Sequence, residues 1–176
     1  IPDVILASKA IGGTQPMSVV IYNKKLDTWG PGAHAGTFRG NQLAMVAGTV
    51  VMERLKSPGF LEAVIRKGDK FRSRMEALKA ECPIIGDVRG KGLMLGIEFV
   101  DPNGPVDIMG HPMESGTICA RVQKECFENH LVMEKGGRNG STMRCLTALN
   151  ISDEDLETGI RILEKVVRNI NKEYVK

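Results

Sequence analysis

The sequence predicts an α/β protein in which part of a parallel sheet and its helices is followed by a smaller domain of mixed strands and helices. Three patterns support this prediction. Residues 3–8 (DVILAS) form a β-prone run without polar alternation, which is typical of a strand covered on both faces in a parallel sheet. Apolar residues recur at helical spacing over 40–56. Residues 93–99 alternate with the period of two of a half-buried antiparallel strand.

The first part of the chain, residues 1–56, is predicted to hold two strands and a helix. Gly12-Gly13 interrupt the chain after the first strand, and residues 17–22 (MSVVIY) predict a second strand. The helix over 40–56 ends at Ser57-Pro58-Gly59, because this turn sequence cannot continue the pattern. We place a domain boundary there.

The second part, residues 57–176, is predicted to be the smaller mixed domain. Its predicted elements are helices over 61–80 and 116–129, strands over 93–99, 131–133 and 143–146, and a last helix that begins after Ser152. The first of these helices is expected to bury one apolar face: Leu61, Val64, Ile65, Phe71, Met75 and Leu78. Ser152 is an N-cap residue followed by three acids, which suit the positive end of a helix dipole. The buried stripe expected on the last helix is Leu156, Ile160, Leu163, Val167 and Ile170.

The composition is that of an ordinary globular protein. With 42% hydrophobic residues among 176, the chain can bury a core, and its net charge of +3 is spread among both signs rather than clustered. We therefore expect no nucleic-acid or membrane partner. The apolar stretches are too short for a membrane span and no secretory-signal pattern is seen, so we expect a cytoplasmic location. Four widely spaced cysteines lack a CxxC or Cys/His ligand pattern, so buried free thiols are expected rather than a metal site.

Lys9 is the first candidate for chemistry. It stands just past the carboxyl end of the first predicted strand, the edge at which α/β sheets bind ligands. By position alone, a solvated surface lysine is the more common explanation of such a residue.

Residues 3–13 (DVILASKAIGG) resemble the second half of the signature of the class III aminotransferases, enzymes that depend on pyridoxal 5′-phosphate (PLP). The resemblance implies that Lys9 holds the cofactor through its amine. An amine in that position can be displaced by a substrate amine, and can then move a proton between the substrate and the cofactor. The resemblance also implies PLP-transferase fold type I, with residues 1–56 ending the large cofactor domain and residues 57–176 forming the small C-terminal domain.

Residues 34–44 (HAGTFRGNQLA) resemble a second motif of that family, in which a threonine binds the cofactor phosphate of the neighbouring subunit. Thr37 takes this role by resemblance, and the protein is then expected to be a homodimer with a shared active site. A hydroxyl beside backbone N–H groups suits a phosphate. The alternative is that Thr37 only caps the helix that follows.

Residues 143–146 (MRCL) resemble the family segment whose arginine pairs with the substrate carboxylate, such as that of 2-oxoglutarate. Arg144 takes this role by resemblance. A guanidinium binds a carboxylate through two parallel hydrogen bonds, which a lysine cannot do. The alternative is a surface arginine at the end of a strand.

Two glycine-containing segments are interpreted as structural. Residues 88–98 (VRGKGLMLGIE) resemble the family's C-terminal domain, where the glycines serve a turn and a tightly packed strand. The segment lacks a third glycine that would open a helix, and residues 136–142 lack the P-loop lysine, so neither predicts a nucleotide site. The three histidines form no recognisable triad and are given no catalytic role: His34, His111 and His130.

The chain departs from the common family pattern at two places. Arg39 stands where many relatives have glycine, and Thr147-Ala148 replace the proline usually found after the arginine. Arg39, with residues 30–34 (GPGAH) before it, resembles the branch that transaminates the terminal amine of 2,4-diaminobutyrate with 2-oxoglutarate and glutamate as partners.

Other functions stay open on the sequence alone. One is another PLP enzyme of the same fold, namely an ornithine, 4-aminobutyrate or acetylornithine aminotransferase, an aminomutase or a racemase. The other is a domain without catalysis that acts as an interaction module. Because Ile1-Pro2-Asp3 directly precede a run typical of a central strand, we expect the numbering to begin inside a longer protein. The family's aspartate, stacking ring and main phosphate loop would then lie upstream, and residues 1–176 alone are expected to be inactive.

Overall fold

The computed structural model describes residues 1–175. They form two compact units, Ile1–Leu61 and a second one that begins at Glu62. Each unit is built from its own strands and helices. Among these residues, no helix combines the length and the apolar character needed to span a membrane.

The first unit is built on two antiparallel strands, β1 (Val4–Ala7) and β2 (Val19–Tyr22), as the two apolar runs predict. A 3₁₀ helix, Lys9–Gly12, follows β1, and a second one, Lys24–Leu26, follows β2. Helix α1 (Gln42–Lys56) ends at the predicted Ser-Pro-Gly turn.

The pairing and burial of β1 differ from the prediction. Its partner β2 runs antiparallel, with Val4 opposite Tyr22 and Ala7 opposite Val19, and Leu6 is 76% exposed. The expectation of a parallel pairing covered on both faces is therefore wrong for the described residues. An apolar run without alternation shows that both faces of a strand are apolar, but not which strand pairs with it.

The second unit combines a four-stranded antiparallel sheet with helices. Its strands lie in the order β3, β4, β6, β5. In chain order the elements are α2 (Phe60–Glu81), β3 (Ile85–Lys91), β4 (Met94–Phe99), α3 (Gly116–Glu128), β5 (Glu134–Gly136), a 3₁₀ helix (Arg138–Gly140), β6 (Thr142–Leu146) and α4 (Asp153–Asn171).

The core of this unit lies on one face of the sheet and on the apolar faces of the helices. The buried apolar residues of the sheet are Ile85, Val88, Leu95, Ile97, Phe99, Met143 and Cys145. Ser152 caps α4 by accepting a hydrogen bond from the Asp155 amide, as predicted. The predicted stripe of α4 is buried at all five positions. Leu61 and Ile65 are exposed instead, so the predicted buried face of α2 is wrong at its first turns.

The turn between β3 and β4 packs against the middle of α2 through two glycines. Gly92 has a φ of +55°, and a Cβ on Gly68 would lie about 2.3 Å from the Gly92 carbonyl oxygen. The sequence interpretation of residues 88–98 as a turn and a closely packed strand agrees with this contact. β3 was not predicted, and β5 lies at Glu134–Gly136 instead of 131–133.

Ion pairs join α2 to α4 at the edge of this core. The Arg74 guanidinium donates two hydrogen bonds to Glu164, at 2.7 and 2.6 Å, and one to Glu157 at 3.1 Å. Hydrogen bonds from Lys70 and then Arg74 lower the pKa of Glu157 to about 2. The two helices are therefore held together by charge as well as by apolar contact.

Candidate active site

Lys9 lies at the point where the chain leaves β1. Its φ is +57°, in the left-handed region that non-glycine residues rarely adopt, at a cost of about 1 kcal/mol. The preceding Ser8 is extended, and its hydroxyl donates to the Met17 carbonyl oxygen at 3.4 Å. The Lys9 side chain is exposed, and within residues 1–175 its amine has no hydrogen-bond or ion-pair partner. The turn thus presents an uncommitted amine at the end of a strand.

Helix α1 supports this turn through a glycine. A Cβ on Gly48 would lie 2.9 Å from the Ile11 carbonyl oxygen and 3.2 Å from the Met17 sulfur. Any larger residue at position 48 would push α1 away from the turn. The small residue therefore seats the segment that begins with Lys9 directly against the helix.

Thr37 lies on the loop that leads into the same helix. The N-cap of α1 is Asn41, whose side-chain oxygen accepts hydrogen bonds from the Leu43 amide at 3.0 Å and the Ala44 amide at 3.4 Å. The alternative that Thr37 caps the helix is therefore wrong. No hydrogen bond from the Thr37 hydroxyl is present among the described residues, so this group is free to bind an anion.

An aromatic cluster holds the start of this loop. The Trp29 indole N–H donates to the Tyr22 hydroxyl at 3.0 Å, and that hydroxyl donates to Asp27 at 3.2 Å. The His34 ring lies 5.2 Å from the Trp29 ring, centroid to centroid. These contacts tie the loop to β2 and give His34 a packing role.

Arg144 lies in the middle of β6, not at its end. Its neighbours across the sheet are Gly96 on β4 and Glu134 on β5, and all three share the exposed face because directly opposed residues point the same way. The guanidinium donates to the Glu134 carboxylate at 3.2 Å, and the side-chain stem lies over Gly136. Arg144 thus binds a carboxylate of this chain, and a carboxylate is also the substrate group that the resemblance assigns to it.

Glu134 is the site residue that the sequence reasoning missed. The strand was predicted over 131–133, so its carboxylate was not placed on the sheet. The signal in the sequence is the step from the apolar Met133 to the charged Glu134. The Arg144–Glu134 pair is itself exposed, with 45% and 60% of the side chains accessible, so it contributes little stability and can exchange partners.

A second arginine, Arg89, shares the exposed face with Arg144. It lies opposite Gly96 from the other side, and its guanidinium donates to Asp87 at 2.9 Å and to Glu98 at 2.6 Å. These two carboxylates raise the pKa of Arg89 and neutralise its charge. Arg89 therefore stabilises the sheet and leaves Arg144 as the arginine of this face with a single carboxylate partner.

The predicted site residues fall into two groups. Lys9 and Thr37 belong to the first unit. Helix α1 packs against the turn that carries Lys9, and the loop that carries Thr37 leads into the same helix. Arg144 belongs to the second unit.

The cysteines are buried free thiols, as predicted. Burial raises the pKa of Cys119 to about 11 and the pKa values of Cys126 and Cys145 to about 12, so these thiols stay protonated and unreactive near neutral pH. In the part of the chain that the structure describes, no group of three or more His, Cys, Asp or Glu side chains is placed to hold a metal ion.

Residues 1–167 match the pattern of the family described as aminotransferase class-III. Since this match covers most of the chain, the chain belongs to the class-III aminotransferase family. Dependence on PLP is a property of this family.

Two individual proteins of the family are similar to this chain. The chain is 49% identical to the diaminobutyrate–2-oxoglutarate aminotransferase of Rhizobium meliloti (strain 1021) over 157 residues, and this alignment covers 89% of this chain and 33% of that protein. It is 39% identical over 166 residues to the protein of the same name from Haemophilus influenzae, covering 94% of this chain and 37% of that one. The chain thus spans about a third of the length of these curated relatives.

A solved structure supports the fold. The ornithine aminotransferase from Toxoplasma gondii superposes with a TM-score of 0.80 at 27% identity, covering 99% of this chain and 38% of that one. That structure is described as having partial occupancy of PLP at its active site. The fold class predicted from the sequence is confirmed.

The first unit offers two groups that PLP could use. Among residues 1–175, the Lys9 amine and the Thr37 hydroxyl have no hydrogen-bond partner. Residues 28–52 contain no aspartate or glutamate, so no acid of this segment repels a phosphate. The residues present therefore fit a phosphate-bearing aldehyde.

Proposed function

We propose that this chain is part of a transaminase that moves the terminal amine of 2,4-diaminobutyrate to 2-oxoglutarate, which becomes glutamate. The observation that carries the proposal is the 49% identity, over 89% of the chain, to a relative named for this reaction. The uncommitted Lys9 amine on a strained turn supports it from the structure.

Lys9 has two tasks in this proposal. When bound, PLP supplies an aldehyde that exchanges amines and a ring that accepts electrons. The Lys9 amine would hold the cofactor through its aldehyde. When free, the same amine would take the proton from the substrate carbon that bears the amine. Among residues 1–175, no carboxylate pairs with the Lys9 amine, so the side chain is free to reach the cofactor.

The wider assignments are also proposals. Thr37 binds the cofactor phosphate of the neighbouring subunit, which makes the enzyme a homodimer with shared active sites. Residues 1–56 end the large cofactor domain, and residues 57–176 form the small domain. The exposed apolar residues of α1 agree with further partners for this segment: Leu43, Val46 and Val50. The cytoplasmic location stays a prediction.

The proposal is tested by the choice of substrates in the intact enzyme. We expect 2,4-diaminobutyrate with 2-oxoglutarate to exceed ornithine, 4-aminobutyrate and acetylornithine by about tenfold or more in kcat/KM. A higher value for another donor would assign the chain to that activity. Isomerisation without a keto acid would indicate an aminomutase. If the protein shows no cofactor absorbance after PLP is added, the interaction-module alternative is favoured.

In this proposal, Arg144 binds the carboxylate of 2-oxoglutarate next to the carbon that receives the amine. Glu134 occupies the guanidinium when no substrate carboxylate is present, so the two carboxylates compete for one arginine. The terminal amine of the donor has no carboxylate beside it, and the internal pair then keeps Arg144 neutralised. By exchanging Glu134 for the carboxylate of 2-oxoglutarate, Arg144 can accommodate both the amino donor and the keto-acid acceptor, which differ in shape.

Arg144→Lys is expected to raise the KM for 2-oxoglutarate by about 10- to 100-fold, because a lysine cannot form the paired hydrogen bonds. The kcat/KM for the donor should change little, because Arg144 stays paired with Glu134 while the donor reacts. Steady-state kinetics measure the two half-reactions separately. Glu134→Gln is the matched control, and it should leave the KM for 2-oxoglutarate equal or lower. Equal losses for donor and acceptor in Arg144→Lys would contradict the assignment.

A further inference from the structure

Arg39 is placed on the same turn as Thr37. Its backbone N–H donates to the Gly36 carbonyl oxygen at 3.0 Å, which closes the turn. Its side chain folds back over Gly36, where a Cβ would lie 2.7 Å from the Arg39 Nε atom. One guanidinium nitrogen, Nη1, donates to the His34 carbonyl oxygen at 3.2 Å. The guanidinium is thereby held beside the loop that carries Thr37.

The charge of Arg39 is not neutralised in the described part of the chain. No carboxylate there lies within 4.0 Å of its guanidinium, in contrast to Arg89 and Arg144. The acid-free segment 28–52 surrounds it in sequence. A guanidinium has five N–H donors, and the bond to His34 uses only one of them.

The loop around Arg39 is anchored at both ends. Trp29 ties its start to β2 through the Tyr22 hydroxyl, and Asn41 caps the helix at its end. His34, which accepts the Arg39 hydrogen bond, packs on Trp29. Little conformational entropy is then lost when the guanidinium binds an anion, which strengthens binding.

We propose that Arg39 is a second phosphate-binding residue, which acts with Thr37 on the phosphate of PLP. The inference rests on the proposed function, because it takes Thr37 as the first phosphate contact. A phosphate monoester carries a charge of about −2 near neutral pH, and the neutral Thr37 hydroxyl leaves that charge uncompensated. A planar guanidinium on the same turn supplies both the charge and two parallel donors.

The experiment compares two ligands of the apo form of the intact enzyme, PLP and pyridoxal. Both carry the aldehyde that Lys9 binds, and only PLP carries the phosphate. Arg39→Gly and Arg39→Gln are expected to weaken PLP binding by about tenfold or more and pyridoxal binding by less than about threefold. Arg39→Lys should recover part of the loss, since it keeps the charge without the planar pair of donors.

Two further variants keep the result interpretable. Arg54→Gln removes the same charge from the far end of α1, where the guanidinium lies over the Phe60 ring, and should leave PLP affinity unchanged. Thr37→Val tests the proposed function itself and should also lose affinity for PLP selectively. If Thr37→Val shows this loss and the Arg39 variants do not, the inference on Arg39 fails while the proposed function stands.

Other results would overturn the inference in different ways. Equal losses of affinity for PLP and pyridoxal would show that Arg39 stabilises the loop and does not bind the phosphate. Unchanged PLP affinity with a raised KM for diaminobutyrate would assign the guanidinium to the substrate carboxylate. If the unchanged enzyme binds neither PLP nor pyridoxal at Lys9, the proposed function is contradicted, and the inference on Arg39 is overturned with it.

Discussion

Lys9→Ala in the intact enzyme is expected to lower kcat for transamination by at least about 10⁴-fold, because in the proposed function one amine both holds the cofactor and moves the proton. Alanine retains the Cβ, so the backbone at φ +57° keeps its constraint and the substitution isolates the loss of the amine. PLP should still bind through its phosphate contacts, with reduced affinity. Steady-state rates and PLP binding together check this result.

The covalent role of Lys9 has its own measurement. Borohydride reduction of the PLP-loaded enzyme, followed by peptide mapping, should place one pyridoxyl-phosphate group on Lys9 and none in the Lys9→Ala variant. Lys24→Ala is the matched control, since Lys24 is an exposed lysine of the same unit without an ion pair among residues 1–175. Normal transamination by Lys9→Ala, or an adduct on another lysine, would refute the assignment.

The Lys9→Ala subunit also tests the shared active site. A dimer of one Lys9→Ala subunit and one Thr37→Val subunit would have one site with both changes and one with neither. If the sites are shared, random pairing at limiting PLP should restore about a quarter of the activity of the unchanged enzyme. If Lys9 and Thr37 of one subunit serve the same site, the mixture cannot exceed the mean of its two parents.

The local elements could be predicted well from the sequence, because their signals are local. Ser152 with the acids after it determines the start of α4, and alternation over residues 93–99 determines the buried face of β4. Pairing depends on distant partners, which local patterns do not describe. For that reason β1 was expected in a parallel sheet although it lies antiparallel to β2.

The candidate site could be predicted in part. Motif resemblance identified Lys9, Thr37 and Arg144, and their assigned roles stay predictions. The partners of these residues follow from register and loop folding, neither of which is encoded in a short motif. Glu134 meets Arg144 only because β5 begins at residue 134, and Arg39 faces the loop of Thr37 only because its side chain folds over Gly36.

The contact between Gly68 and Gly92 bears on the stability of the second unit. At Gly68 an added Cβ would lie within 2.6 Å of three backbone atoms of Gly92, and backbone cannot move aside as a flexible side chain can. Gly92 itself has a φ of +55°, so the turn cannot change its conformation freely. Relief would therefore require α2 to move away from the β3–β4 turn and open the core beside it.

Gly68→Ala is expected to destabilise the protein by about 3 kcal/mol, although alanine is the better helix former by about 1 kcal/mol. The apparent melting temperature of the intact enzyme, followed by circular dichroism, should fall by several degrees. Gly159→Ala is the matched control within α4, because its Cβ would meet only the Leu131 side chain at an ordinary 3.6 Å. There the same substitution should raise stability by about 0.5–1 kcal/mol. Similar shifts for both variants would mean that helix propensity, and not the close approach to Gly92, determines the effect of a methyl group at position 68.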